Sequence, residues 1–144
     1  MSNDQYEQGM AKRREVMGDA FVDKALNNSS EFVQALQDMV TRNCWGETWQ
    51  SDALPAATRS LITISILTAL RASTELKGHV RGALNNGCTV DEIQAALLHA
   101  TVYCGFPAGM EAFRAADEVL KASTRLFTAD FPPAWKLSGQ LTRC

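Results

Sequence analysis

A chain of 144 residues, 46% of them apolar and 21% charged, can bury one sizeable core and fits a single globular domain. Its 14 basic and 16 acidic side chains leave a net charge of −2 with no basic run to neutralise a series of phosphates, so nucleic acid is not an expected partner. The longest apolar stretch, residues 61–70, is interrupted by Thr63, Ser65 and Thr68 and is too short to span a bilayer; with no cationic, apolar leader at its start, the chain is expected to be cytoplasmic with no membrane partner.

Residues 3–17 place Tyr6, Met10, Arg13, Arg14 and Met17 between polar positions, with Asn3 or Asp4 as an N-cap and Gly18 as a stop, which predicts a first amphipathic helix. Phe21, Val22, Ala25 and Leu26 predict one or two further turns over 19–27, ended by Asn27-Asn28-Ser29. Ser30 can cap a third helix, in which Phe32, Leu36, Met39, Val40 and Cys44 keep the 3.6-residue period as far as Gly46. The period is lost over 45–54, where Trp45 and Trp49 beside Glu47 and Asp52 read as a structured loop of the kind that lines sites.

Pro55 suits the first turn of a helix running to about residue 71. Leu61, Ile62, Ile64, Ile66, Leu67 and Leu70 make that helix apolar on most sides, so it should be buried by several neighbours or by another subunit. After a break at Ala72-Ser73 the next helix carries Glu75 and His79 and stops at Gly87. Thr89 and Glu92 have capping-box spacing at the head of a helix over 90–103, and Pro107 opens the last one through Met110, Phe113, Ala116 and Leu120. No strand pattern occurs. The expectation is an all-α domain of six to seven helices over residues 1–124, followed by an arm, 125–144, in which Phe127, Phe131, Trp135 and Leu137 flank Pro132-Pro133 and pack on the body or on a neighbouring subunit.

Glu75 and His79 stand one turn apart on one helix face, close enough for a carboxylate to hold an imidazole. The same spacing occurs on many exposed helices, where such a pair contributes only about 0.2–0.5 kcal/mol. Arg59 and Arg81 are candidate clamps for a substrate carboxylate. Trp45 and Trp49 can form a pocket wall or a core, and His99 with Tyr103 on one helix face can serve a site or an interface. Gly78 and Gly82, each costing about 1 kcal/mol against Ala inside a helix, point to close approach by a neighbouring helix or by a ligand. Cys44, Cys88, Cys104 and Cys144 form no CxxC pair, and two separated histidines without clustered carboxylates make no metal site.

The stretches RREVMGDAFVDKAL, WGETW, TRSLITISILTAL, ELKGHVRGALNNGCTVDEIQAALLHATVYCG and FPAGMEAFRAADEVL cover most of residues 10–120. Together they resemble the carboxymuconolactone decarboxylase family, most closely its γ-carboxymuconolactone decarboxylases. The resemblance implies the family's all-α, alkylhydroperoxidase D-like fold, assembly as a homo-oligomer (dimer, trimer or hexamer), no organic cofactor, and a small carboxylated substrate. It implies a cofactor-free carboxy-lyase of aromatic compound catabolism acting on a carboxylated lactone or related cyclic enone, with His79 as proton or oxyanion donor oriented by Glu75. Arg59, Arg81, Trp45, Trp49, His99 and Tyr103 would be substrate-binding.

Two departures matter. The peroxidase branch uses a CxxC pair, a histidine four residues later and a glutamate one helix earlier; aligning His79 with that histidine leaves Ala72, Glu75 and Ser60 at the other positions, so no redox function is expected. The decarboxylases typically carry Arg-Pro-Gly where this chain has Ser51-Asp52-Ala53, which removes a possible bidentate clamp. That departure leaves open a different substrate or reaction on the same fold, such as isomerisation or lactone processing in secondary metabolism, or a scaffold that only binds a ligand.

Overall fold

The computed structural model describes residues 3–130. Seven α-helices carry the fold: α1 Asn3–Met17, α2 Asp19–Asn27, α3 Glu31–Met39, α4 Ala56–Ala69, α5 Ser73–Asn85, α6 Val90–Cys104 and α7 Phe106–Asp130. No strand occurs among the described residues, and no helix there is long and apolar enough to cross a membrane. Helix α7 continues through Asp130, six residues beyond the expected end of the body at Thr124. The remainder of the expected arm, 131–144, lies outside the described residues.

The helix ends follow local chemistry. Gly18, Gly87 and Gly105 take positive φ, which lets the chain leave one helix and enter the next without Cβ strain. The Thr89 hydroxyl accepts from the Glu92 N–H at 3.1 Å while the Glu92 carboxylate accepts from the Thr89 N–H at 2.8 Å, the reciprocal cap expected from the sequence. Ser30 makes no such side-chain bond, and Pro55 sits at the cap rather than inside the first turn. Helix α4 stops two residues early, at Ala69, because Arg71 turns to φ 56°; its guanidinium pairs with Glu111 at 2.8 Å, and Ser73 donates to the same carboxylate at 2.7 Å.

The main core joins α4 to α7 through Ile64, Leu76, Val80, Ala83, Ile93, Leu97 and a row of alanines on α7. A smaller apolar cluster of Val16, Met17, Val22, Trp45 and Trp49 joins α1 and α2 to the segment after α3. Helix α5 serves both. Its Leu76–Val80–Ala83 edge enters the main core, and its glycines face α1 and α2. A Cβ on Gly78 would meet Met17 and Phe21 at 3.0 Å, and one on Gly82 would meet Val16 at 3.2 Å, so neighbouring helices occupy the space the glycines leave. Asn85 extends this contact by donating to the Val16 carbonyl at 2.8 Å.

Two elements depart from the expected pattern. The period of α3 breaks at Met39, and Val40–Trp45 winds as a π-helix, with the Gly46 N–H reaching back five residues to the Thr41 carbonyl at 2.9 Å. The expected loop therefore begins with helical backbone and contains a 3₁₀ turn, Thr48–Gln50. The apolar stripe of α3 is also not buried: Phe32 is 93% exposed, with Leu36 and Met39 more than half exposed. Likewise only Ser60, Ile64 and Thr68 of α4 are fully buried, while Ile62, Ile66 and Leu70 remain exposed in the single chain.

Candidate active site

Glu75 and His79 project from α5 into a cavity of about 190 Å³ between the two cores. Met17, Phe21, Val40 and Trp45 supply its apolar walls, and Arg13 supplies a cation. The geometry depends on α5: the glycine face brings Met17 and Phe21 close, while the leucine and valine edge fixes the helix on the main core.

The His79 ring lies parallel to the Trp45 indole, with centroids 6.1 Å apart and planes 4° apart, and Trp45 in turn stacks on Trp49 at 5.0 Å. Glu75 is exposed at the cavity edge and makes no hydrogen bond to His79 among the described residues, so it acts on the imidazole through charge. Burial lowers the His79 pKa below its ordinary value, and the Glu75 charge only partly opposes that. With its pKa lowered, the imidazole is uncharged at neutral pH and able to donate one N–H to a developing oxyanion.

Arg13 is the site residue that sequence reasoning did not find. Only 6% of it is exposed, and its guanidinium donates to the Thr41 hydroxyl at 3.2 Å and to the Gln37 carbonyl oxygen at 2.8 Å. No ion pair of Arg13 occurs among the described residues, although nearby Arg14 pairs with Asp19 and Asp23. The thiol of Cys44 cannot balance the charge, because burial pushes its pKa up and keeps it protonated. The spacing of the first helix grouped Arg13 with Tyr6, Met10, Arg14 and Met17 but assigned it no role; its burial depends on Gln37 and Thr41, more than twenty residues away.

The other sequence candidates lie elsewhere. Arg59 borders a separate crevice of about 80 Å³, beyond Trp49, with Lys12, Glu15, Ser51 and Asp52. There it donates to the Ser51 carbonyl at 3.0 Å, and its buried Nε has no partner among the described residues. Arg81, half-buried and two residues after His79, points to a different side of α5. His99 and Tyr103 pack against each other at 5.0 Å beside a shallow depression between α4 and α6. Of the eight sequence candidates, His79, Glu75 and Trp45 share the cavity, and Trp49 backs it. No three His, Cys, Asp or Glu side chains converge as metal ligands among the described residues.

Comparison with known proteins agrees with this architecture. Residues 34–118 match the profile of the Carboxymuconolactone decarboxylase family. The 4-carboxymuconolactone decarboxylase of Acinetobacter baylyi is 43% identical over 116 residues, covering 81% of this chain and 87% of that protein. The nitrosuccinic acid decarboxylase of Metarhizium robertsii is 41% identical over 107 residues, covering 74% and 75%. A 4-carboxymuconolactone decarboxylase of Pseudomonas putida is 43% identical over 42 residues, 29% of this chain and 88% of that sequence. The chain belongs to the carboxymuconolactone decarboxylase family and is an enzyme of the carboxy-lyase kind.

Proposed function

We propose that the enzyme decarboxylates a small dicarboxylic substrate in the Arg13–Trp45–His79 cavity, with a carboxylated unsaturated lactone or related cyclic enone as the first substrate class. The observation that carries this reading is the convergence of His79, Glu75 and a buried cation in one apolar pocket. In such a substrate the C–C bond to the carboxylate breaks and carbon dioxide leaves. Its electron pair passes through the ring double bond to the lactone carbonyl, giving a dienolate that is then protonated on carbon. The substrate is its own electron sink, so the protein's tasks are to orient it, stabilise the new oxyanion and deliver one proton.

His79 suits the last two tasks. As a neutral imidazole it donates an N–H to the oxyanion, and an anionic substrate beside it raises its proton affinity toward that of a general acid. The Trp45 face sets the ring plane, and the Glu75 charge biases the ring toward the tautomer and charge state that donate. Ser51 borders the Arg59 crevice and is absent from the lining of the His79 cavity, which supports retained catalysis over a ligand-binding scaffold.

A second substrate class is favoured by the Metarhizium robertsii relative, whose name gives nitrosuccinic acid as its substrate. A nitro group next to the carboxylated carbon accepts the electron pair as a lactone carbonyl does. Release of carbon dioxide from 4-carboxymuconolactone and from nitrosuccinate by the purified enzyme separates the two classes. Turnover of the first with loss of activity in His79→Asn is the expected outcome; inertness toward both would sink the reading.

The exposed apolar side chains of α4 and α6, with Phe106 and Met110 at the start of α7, form a further element of the proposal. Exposed apolar surface of this kind marks an interaction site. A second copy of the chain is its proposed occupant, making the enzyme a homo-oligomer.

A further inference from the structure

Resting on the reading that dicarboxylates are decarboxylated in this cavity, we propose that Arg13 anchors the carboxylate the substrate keeps, and that the carboxylate to be lost is held away from it. Arg13 is only 6% exposed, yet both of the protein groups its guanidinium donates to, the Thr41 hydroxyl and the Gln37 amide oxygen, are neutral. An arginine keeps its proton in a protein, so Arg13 brings to the cavity wall a positive charge that no ion pair among the described residues holds. Leaving a charge buried with neutral partners alone is costly, and the cost falls when an anion enters.

The number of donors suggests what kind of anion fits. Of five N–H groups two are used, by Gln37 and Thr41, which leaves three for a ligand. A planar fork of N–H donors matches an anion with two coplanar oxygens, such as a carboxylate, better than the single oxygen of a lactone carbonyl. Val40 and Phe21, which share the cavity lining with Arg13, exclude water and strengthen that pairing.

Which carboxylate binds there follows from the direction in which charge moves. The leaving group departs as neutral carbon dioxide, so a cation against it would stabilise the ground state more than the transition state and slow the reaction. A retained carboxylate keeps its full charge throughout. Binding it at Arg13 therefore contributes equally to ground and transition states, fixing the orientation of the substrate without opposing bond cleavage. The leaving carboxylate is then held off the guanidinium, and the negative charge of Glu75, which lines the same cavity, favours its loss of charge.

The test has a binding arm and a kinetic arm. In the binding arm, calorimetry follows glutarate and succinate, two unreactive dicarboxylates, with wild-type enzyme and with Arg13→Gln. At least one should bind the wild type, and Arg13→Gln should weaken it about 30-fold or more, as expected for loss of a charge-assisted bidentate contact. Absence of wild-type binding by either probe, or unchanged affinity in the folded variant, would overturn the assignment. In the kinetic arm, with whichever dicarboxylate the enzyme decarboxylates, Arg13→Gln should raise KM by a similar factor with kcat changed less than about 5-fold, the signature of uniform binding. A fall in kcat at constant KM would place Arg13 against the developing charge instead, and would also overturn it.

If Arg13→Gln does not fold, Arg13→Lys keeps the charge without the fork and should show an intermediate loss of affinity. On the wild type itself, glutarate should shift the Arg13 Nε resonance and slow guanidinium rotation; an unperturbed resonance at saturating glutarate would overturn the assignment without any variant. The two readings fail separately. Arg13-dependent glutarate binding in an enzyme that releases no carbon dioxide would remove the proposed reaction and leave the anchor, whereas turnover with an unchanged KM in Arg13→Gln would do the reverse.

Discussion

The indole of Trp45 and the imidazole of His79 lie face to face, 6.1 Å between centroids and 4° from parallel, although they come from segments thirty-four positions apart in the chain. Trp45 is itself only 3% exposed and is backed by Trp49, so the stack is a fixed wall against which the imidazole is held. Trp45→Leu should let water reach His79 and raise its pKa back toward the ordinary value of about 6.5. Trp45→Phe should raise it less. Histidine resonances followed through a pH titration give the answer, and an unchanged His79 titration in Trp45→Leu would refute the shielding role.

Glu75 acts in the opposite direction. Its charge favours the protonated imidazole, so Glu75→Gln should lower the His79 pKa further than burial already does. A rate that depends on protonated His79 would then fall off at a lower pH in the variant than in the wild type, a displacement visible in the pH profile of kcat. His79→Asn should lower turnover by about 10²–10⁴. The double variant should be little worse than His79→Asn alone, because residues acting as one unit are not additive; additive losses would assign them independent roles.

Burial of His79 also sets a pH dependence of stability. The folded-state pKa lies below the unfolded one, so the unfolded chain takes up the proton first as pH falls. The contribution of His79 is therefore fully present above about pH 6.5 and is lost as pH drops from there through the folded-state pKa. Urea unfolding of His79→Gln, compared with wild type between pH 7.5 and about 5, should show a flatter loss of stability in the variant over that window. Parallel curves would remove His79 as the cause.

Two glycines should respond differently to the same substitution. A Cβ on Gly9 would collide with the Thr41 carbonyl and stand 2.8 Å from the Gly46 amide nitrogen, both backbone atoms that cannot move aside. Gly9→Ala should cost about 3 kcal/mol, the upper part of the usual overpacking range, or prevent folding. At Gly78 the obstacles are the tips of Met17 and Phe21, which can rotate, so Gly78→Ala should cost about 1 kcal/mol and act mainly by pushing Phe21 into the cavity. Denaturation midpoints read the first effect and KM the second.

The proposed assembly makes its own prediction. Val102 is 80% exposed and Tyr103 78% in the single chain, and Ile66 lies with Tyr103 along the same depression between α4 and α6. An Ile66→Asp/Val102→Asp double variant should keep its helical circular dichroism and reduce the mass measured by light scattering. A wild type that runs as a monomer would end the proposal.

Most of the fold was legible because its signals are local. The Thr89–Glu92 cap, the Gly18 and Gly87 stops and the Glu75–His79 spacing each depend on residues within one or two turns, and the structure keeps all three. The missed features are non-local. Apolar period marked one face of α3, but burial requires a partner element, and α3 packs mainly against the π-helix that continues it. Arg13 is one of several patterned residues on an amphipathic helix, with no role of its own until Gln37 and Thr41 fold over it. Arg59 had the right chemistry for a clamp but is separated from His79 by the stacked tryptophans, a relationship no spacing within one helix encodes.

The π-helix at Val40–Trp45 has an evolutionary consequence. A π turn is an α-helix carrying one surplus residue, so its register can change by a single-codon insertion or deletion without breaking the segment. Deleting Asn43 would rewind the turn as α-helix and leave the segment beyond it nearly in phase with α3, because the surplus residue is the one removed. Thr41 would still meet Arg13 and Trp45 would still face His79. The same deletion between Glu75 and His79 would instead turn His79 by about 100° around α5 and out of the cavity. Drift in gene length is therefore absorbed on one wall of the cavity and not on the other, and an unchanged His79 titration in the Asn43 deletion would be the expected sign of that difference.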